Sequence, residues 1–409
     1  MGYFIQPDDP MLAQSPAQGL LPAPAKPDPA LVQEIVQMID TSLTHLAEKS
    51  SPDDPQYYED GIWHFGGKPM AGKCWTFSAG PAGAAAALWK WRQDRLDTLD
   101  DAAKARQDWL RRVAIETFET ALKDHLKPDG DLSDLASHRE FFNIDFITTY
   151  LLLKDTLDDD IRQRWLDAMR RQVDWMMKTG NLPNPTLPGW EGKSWKGTDG
   201  WYVNGNVELC KAEFVYLVWQ ATGEQKYKDL YELQWKHTLR PSQQRWKGYG
   251  LFFFKEPARA DGSDGSAFVT EANNVPGFDP EYGMLQLSTA ARLYAKSRDP
   301  RVLRLTNLLL NSLLPRLDRK TMILDATYGS RHSVTTQFST CAPEILVWLG
   351  GRDDLSPLLA DHINKAVKPV LLESARKNWG HPGIYRAYGF DLAALLEALF
   401  PQGASGPAR

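Results

Sequence analysis

The sequence predicts an all-α protein folded as an (α/α)6 toroid, six inner helices ringed by six outer ones. Three observations predict it. Helical stretches alternate between nearly all-apolar and amphipathic ones, and a helix that is apolar on every side must be buried. Short turns follow the apolar helices, whereas long loops rich in Gly, Pro and aromatic residues follow the amphipathic ones. Last, the repeat lacks one outer helix, and the N-terminal stretch Val32–Glu48 supplies it by packing against the final helix, Tyr385–Leu399. In this plan every long loop gathers at one end, over the N-termini of the inner helices.

Each element has its own justification. Residues 1–30 form an extended Pro/Ala-rich lead-in, 31–400 the toroid, and 401–409 a flexible tail. Val32, Ile35, Val36, Ile39, Leu43 and Leu46 recur at the 3.6-residue period of a one-sided helix. Loop 51–75 precedes an Ala-rich inner helix at roughly 79–93, whose outer partner spans roughly 101–126. The next inner helix covers roughly 139–154, with its partner at roughly 160–178. Loop 180–200 then delivers Gly200–Glu224, which opens on Trp201, Tyr202, Asn204, Asn206 and Glu208. It continues as an apolar helix, roughly 203–221, and stops at Thr222-Gly223, where glycine suits a left-handed cap. Its partner is roughly 225–238. Loop 240–279 follows, with a short strand expected at Gly250–Lys255. Pro280 is well placed at the first position of an inner helix at roughly 281–296, paired with roughly 300–315. Inner helices at roughly 342–349 and 385–399, around an outer one at roughly 355–373, complete the ring.

Composition narrows the function. The 409 residues, 43% hydrophobic, can bury a large core. A net charge of −5 gives no sign of a nucleic-acid partner. Cys74, Cys210 and Cys341 lie far apart, which excludes a cysteine zinc cluster and gives no disulfide framework. His64, His138 and His332 with Asp145 lack metal-ligand spacing, so neither a metal nor a cofactor is expected. No apolar run is long enough for a membrane span, and no signal peptide is visible. Neither the compartment nor the oligomeric state follows.

The loop face carries the chemistry. His64, His138, His332 and His381 fall there, with Trp63, Trp75, Trp190, Trp195, Trp201, Trp246 and Trp379. Aromatic faces stack on the apolar faces of sugar rings, while Asn, Arg and His bond the hydroxyls. Any one tryptophan can simply pack a loop onto the barrel. Seven together, beside Gly-rich turns, point to a carbohydrate cleft. The expected substrate contacts are Trp63, His64, Asn143, Trp201, Asn204, Asn206, Glu208, Trp246, Arg331 and Arg386.

The plan resembles the six-hairpin carbohydrate-active enzymes, which comprise (α/α)-toroid glycoside hydrolases and alginate-lyase-like polysaccharide lyases. The likeness rests on the order of Asn143 on an inner helix, Trp201-Tyr202 with Asn204 and Asn206, and a helix opening at Tyr282. The Asn-His pair of such lyases is absent, since Ile144 follows Asn143, and the paired Asp-Asp motifs of several toroid hydrolases are absent too. The resemblance implies the fold more than the reaction.

Two routes of cleavage remain open. β-Elimination of a uronate needs Tyr202 or Tyr282 with His332 as base and acid, and Asn143, Asn206 and Arg331 to neutralise the carboxylate. Loops 316–336 and 374–388 lean basic, which favours such a substrate locally. Hydrolysis by inversion instead needs two carboxylates among Asp145, Glu208, Asp279 and Glu281. Asp279 is equally a helix N-cap and Glu281 a first-turn acid favoured by the helix dipole. Asp145 and Glu208 sit on apolar helices, where a charge is expensive unless paired or functional. A non-catalytic glycan-binding toroid would keep the tryptophans without this set. Tyr202, Tyr282, His332, Glu281 and Asp145 are the expected catalytic residues.

Overall fold

A computed structural model describes Asp40, Leu43, and residues 57–65, 68–69, 71, 75–93, 99–132, 135, 139–188, 205–237, 239, 280–313, 324–325 and 337–338. Within these residues the protein is all-α apart from short strands, and it divides into two compact units. One ends at Gln172 and the other begins at Val173.

The first unit opens with β1 (Tyr57–Glu59), β2 (Ile62–Phe65) and β3 (Lys68–Pro69), an antiparallel sheet in the order β1-β2-β3. The sequence reading left this stretch as loop. Asp60 and Gly61, at φ 48° and 83°, turn β1 into β2, the pattern of a tight hairpin with two left-handed residues. A Cβ on Gly61 would lie 2.2 Å from Thr120 Oγ1 and 2.9 Å from the Glu116 carbonyl oxygen. Only glycine lets the hairpin sit so close to the helix behind it.

Two helical hairpins follow. They are α1 (Trp75–Gln93) with α2 (Asp101–His125), and α3 (Arg139–Leu153) with α4 (Asp159–Lys178), which continues into the second unit. Helix α1 starts four residues before the expected 79 and carries Pro81 inside it. Every residue from Ser78 to Trp89 and from Glu140 to Tyr150 is buried, as expected of inner helices. Helix α2 buries only the stripe Gln107, Leu110, Val113, Ala114, Thr117, Phe118 and Ala121. Its N-cap Asp100 accepts the Ala103 N–H at 2.8 Å. Phe118, Phe142, Phe146 and Trp165 form the aromatic contact among α2, α3 and α4.

The two outer helices run parallel, and their contacts show it. Arg111 donates to the Thr156 carbonyl. Glu119 accepts from Arg164 and from the Trp165 indole, both at 2.6 Å. Arg171 reaches the Pro128 carbonyl at 3.4 Å. The sequence offset stays between 43 and 46 along all these contacts. Asp40, in the expected N-terminal helix, pairs with Arg92 at 2.6 Å and Arg106 at 3.7 Å, where α1 passes into α2.

The second unit holds α5 (Gly205–Thr222) with α6 (Gln225–His237), then α7 (Pro280–Ser297) with α8 (Pro300–Leu313). Every residue from Val207 to Val218 is buried. Helix α5 ends as expected, with Gly223 at φ 69° and its N–H on the Trp219 carbonyl at 2.8 Å. Asp299 caps α8 by accepting the Arg301 N–H at 2.9 Å, with Pro300 as first residue. Tyr231 and Glu232 of α6 hold Asp299 and Arg301 in turn. Beyond α8, β4 (Leu324–Asp325) pairs antiparallel with β5 (Gln337–Phe338). The expected strand at 250–255 and the helices at 342–349, 355–373 and 385–399 lie outside the described residues. So does the ring closure that rests on them.

Candidate functional site

The site is read at the N-terminal ends of the inner helices, taking each unit by itself. In the first unit, strand β2 delivers Trp63 and His64 to opposite faces of the sheet, since successive side chains alternate. Trp63, named among the expected substrate contacts, is fully buried. Its ring lies 5.1 Å from that of Tyr58 and 6.5 Å from that of Trp109, and its backbone N–H reaches Ser78 Oγ at 3.3 Å. Trp63 therefore anchors the sheet to α1 and α2. Tyr58 adds a second anchor by donating to Glu116 Oε2 at 2.7 Å. Burial, then this bond, pushes the Tyr58 phenol well above its ordinary range. The sheet thus sets the position of His64, which is half-buried and pairs in register with Tyr57 and Pro69.

Helix α3 places Asn143 and Asp145 in its N-terminal half, both buried to 1% exposure. Asn143 Nδ2 finds no hydrogen-bond partner among the described residues. A buried amide hydrogen left unmade costs about 1–3 kcal/mol, so this donor suits a ligand's oxygen. Phe142 and Phe146 point to α2 and α4, which leaves Glu140, also buried, on the other face of the helix. Sequence reasoning missed Glu140 because a first-turn acid reads as a dipole partner.

In the second unit α5 and α7 run side by side and parallel. Cys210 Sγ lies 3.7 Å from Thr289 Oγ1, and Glu213 meets Arg292, both at a sequence offset of 79. Tyr216 donates to the Lys296 carbonyl at an offset of 80. The constant offset means that both helices start at the same end of the unit. Asn206, in the first turn of α5, and Glu281 and Tyr282, in the first turn of α7, therefore belong to one end.

The charge buried between these helices was missed from sequence. Arg292 grips Glu213 with Nε at 3.2 Å from both carboxylate oxygens and Nη2 at 3.2 Å, and Lys296 adds a contact at 3.3 Å. Glu208, a carboxylate expected to be paired or functional on its apolar helix, forms an ion pair with Lys211 at 2.7 Å, and both side chains are buried. Lys211 was also missed, because one lysine in a long apolar run reads as a solvent-facing interruption.

Trp201, Tyr202, Asn204, Trp246, Asp279, Arg331, His332 and Arg386 lie outside the described residues. So does His138.

No family model matches the chain, and no curated protein matches it either. Among solved structures it is similar to an unsaturated glucuronyl hydrolase variant from Streptococcus agalactiae, at 12% identity over 96% of this chain and 95% of that one, with a TM-score of 0.47. It is also similar to Dfg5 from Chaetomium thermophilum in complex with glucosamine, at 12% identity, 92% of each chain and a TM-score of 0.47. A D-mannose isomerase is a third, at 12% identity over 87% of this chain and 86% of that one, with a TM-score of 0.44.

Proposed function

We propose that this protein is a carbohydrate-active enzyme that cleaves glycosidic bonds of a poly- or oligosaccharide, with β-elimination at a uronate-containing glycan as its favoured route. The observation that carries the reading is the parallel packing of α5 and α7 at a constant offset of 79 to 80 residues. It starts both helices at one end, with Asn206 and Tyr282 in their first turns. Two aligned helix N-termini favour a negatively charged group, which the carboxylate of a uronic acid supplies. Elimination asks that this carboxylate be neutralised while a base removes the neighbouring proton. Asn206, in the first turn of α5, suits the first task. Tyr282, with His332, suits the transfer of protons.

A second reading, inverting hydrolysis, draws on carboxylates of the second unit, Glu208 in the first turn of α5 and Glu281 in the first turn of α7, at the shared end of the two helices. A neutral glycan would then be acceptable.

One assay separates the two. The protein is incubated with a panel of uronate and neutral glycans, following both the absorbance of unsaturated uronates and the release of reducing ends. New absorbance accompanying new reducing ends supports elimination. Reducing ends alone support hydrolysis, and neither signal on any glycan refutes the enzymatic reading.

A further inference from the structure

Asn143 lies in the N-terminal half of the inner helix α3. It is 1% exposed, and its Nδ2 has no hydrogen-bond partner among the described residues. Side chains on a helix lean toward its N-terminus, so this amide leans toward the start of α3.

Packing does not call for an asparagine here. Its chain neighbours Phe142 and Ile144 are buried and apolar. A leucine would fill nearly the same volume and leave no buried donor without a bond. Other buried polar groups of this unit find their bond inside the fold. Thr117 Oγ1 donates to the Val113 carbonyl at 2.7 Å, and Gln107 Nε2 donates to the Trp89 carbonyl at 3.0 Å. Gln107 Oε1, Thr149 Oγ1 and both polar atoms of Gln172 do lack partners. They stand on the outer helices α2 and α4 or in the C-terminal half of α3, away from the end where Asn143 sits.

The donor's chemistry says what it takes. A carboxamide N–H donates and carries no charge. Glu140, one turn earlier and 2% exposed, already gives the first turn of α3 the acid that the helix dipole favours. A further anion gains little there, whereas an uncharged oxygen that accepts a hydrogen bond satisfies the amide. A sugar hydroxyl is such an oxygen.

We propose that Asn143 is a ligand-binding residue of the first unit, whose amide donates to a hydroxyl oxygen of a neutral sugar. This rests on the carbohydrate reading above and adds to it a neutral-sugar site that does not depend on α5 or α7.

The test uses the full chain as wild type, Asn143→Leu and Asn143→Asp. Melting temperature is measured without ligand, and binding is titrated by calorimetry with glucose, galactose, mannose and their disaccharides, beside glucuronate and galacturonate. The wild type should bind at least one neutral sugar saturably. Asn143→Leu should melt at or above the wild type, because an unmade donor is gone, yet bind that sugar about tenfold more weakly, the scale of one hydrogen bond between neutral groups. Asn143→Asp keeps the shape but not the donated hydrogen, so it should bind as weakly. Full affinity in either variant would overturn the assignment. So would an Asn143→Leu that melts well below the wild type or fails to fold, since the amide would then be bonded within the core. A wild type that binds none of the neutral sugars overturns it as well. Cleavage of the glycan panel judges the enzymatic reading separately, because these titrations need no turnover.

Discussion

Arg292→Met tests the charge buried between α5 and α7. Methionine keeps most of the apolar stem but removes the guanidinium that contacts Glu213 through Nε and Nη2, each at 3.2 Å. The Glu213 side chain is 0% exposed and that of Arg292 4%, so water screens neither. Breaking a buried pair by removing one partner costs about 3–5 kcal/mol, because the other charge is left in a poor solvent. Lys296 stays at 3.3 Å from Glu213 Oε1 and is 16% exposed, which keeps a second cation on the carboxylate. The expected loss is therefore near the lower end, about 3 kcal/mol. Glu213→Gln/Arg292→Met should lose clearly less than Arg292→Met alone, since the fully buried carboxylate is gone and the cation that remains, Lys296, is part-exposed. Urea unfolding and thermal melting of the wild type, both single variants and the double variant supply the comparison. A loss under about 1 kcal/mol for Arg292→Met, the scale of an exposed pair, would refute the reasoning. So would a double variant as unstable as the single one.

Three further outcomes are expected. Gly61→Ala should destabilise by more than the roughly 1–2 kcal/mol of left-handed backbone alone, because its Cβ would meet Thr120 and Glu116. Gly223→Ala, at φ 69° with nothing within 4 Å, should cost only that backbone share; melting curves that rank the two the other way would contradict the docked hairpin. Burial, then the Asp299 charge, pushes the Tyr216 phenol up to about 12, above the ordinary tyrosine value of about 10. Its contribution to stability is thus whole below pH ~10 and lost as pH rises toward 12. The wild-type melting temperature should fall over that window more steeply than that of Tyr216→Phe, and parallel curves would refute the assignment. Tyr282→Phe should lower kcat by ~10²–10⁴-fold at an unchanged melting temperature, and an unchanged kcat would remove Tyr282 from the mechanism.

How far the sequence carries depends on whether an element's signal is local. The inner helices α1, α3 and α5 were legible because a run without a polar face has one stable place, and their burial bears this out. The stop of α5 was legible because Gly223 marks it by backbone alone. The sheet before α1 was not, although Asp60-Gly61 is a strong hairpin signal. Its strands are very short, and their aromatic side chains drew the reading toward a sugar cleft. Trp63 shows the ambiguity, because one ring serves equally to stack on a ligand or to fasten a strand, and only burial tells which.

The buried charges define the same limit from the other side. Glu213 and Arg292 are separated by 79 residues, and helical period along either helix cannot show that the other will meet it. Once the parallel offset is known, the pairing explains both residues, and it also explains why α5 and α7 can carry charge without facing solvent. Glu208 and Lys211 are different, since three residues on one helix do predict contact. What the sequence lacked there was the burial of both. A solvated pair at that spacing contributes only a few tenths of a kcal/mol, whereas a buried one demands compensation. Burial is thus what separates this pair from the same spacing on a solvated helix face.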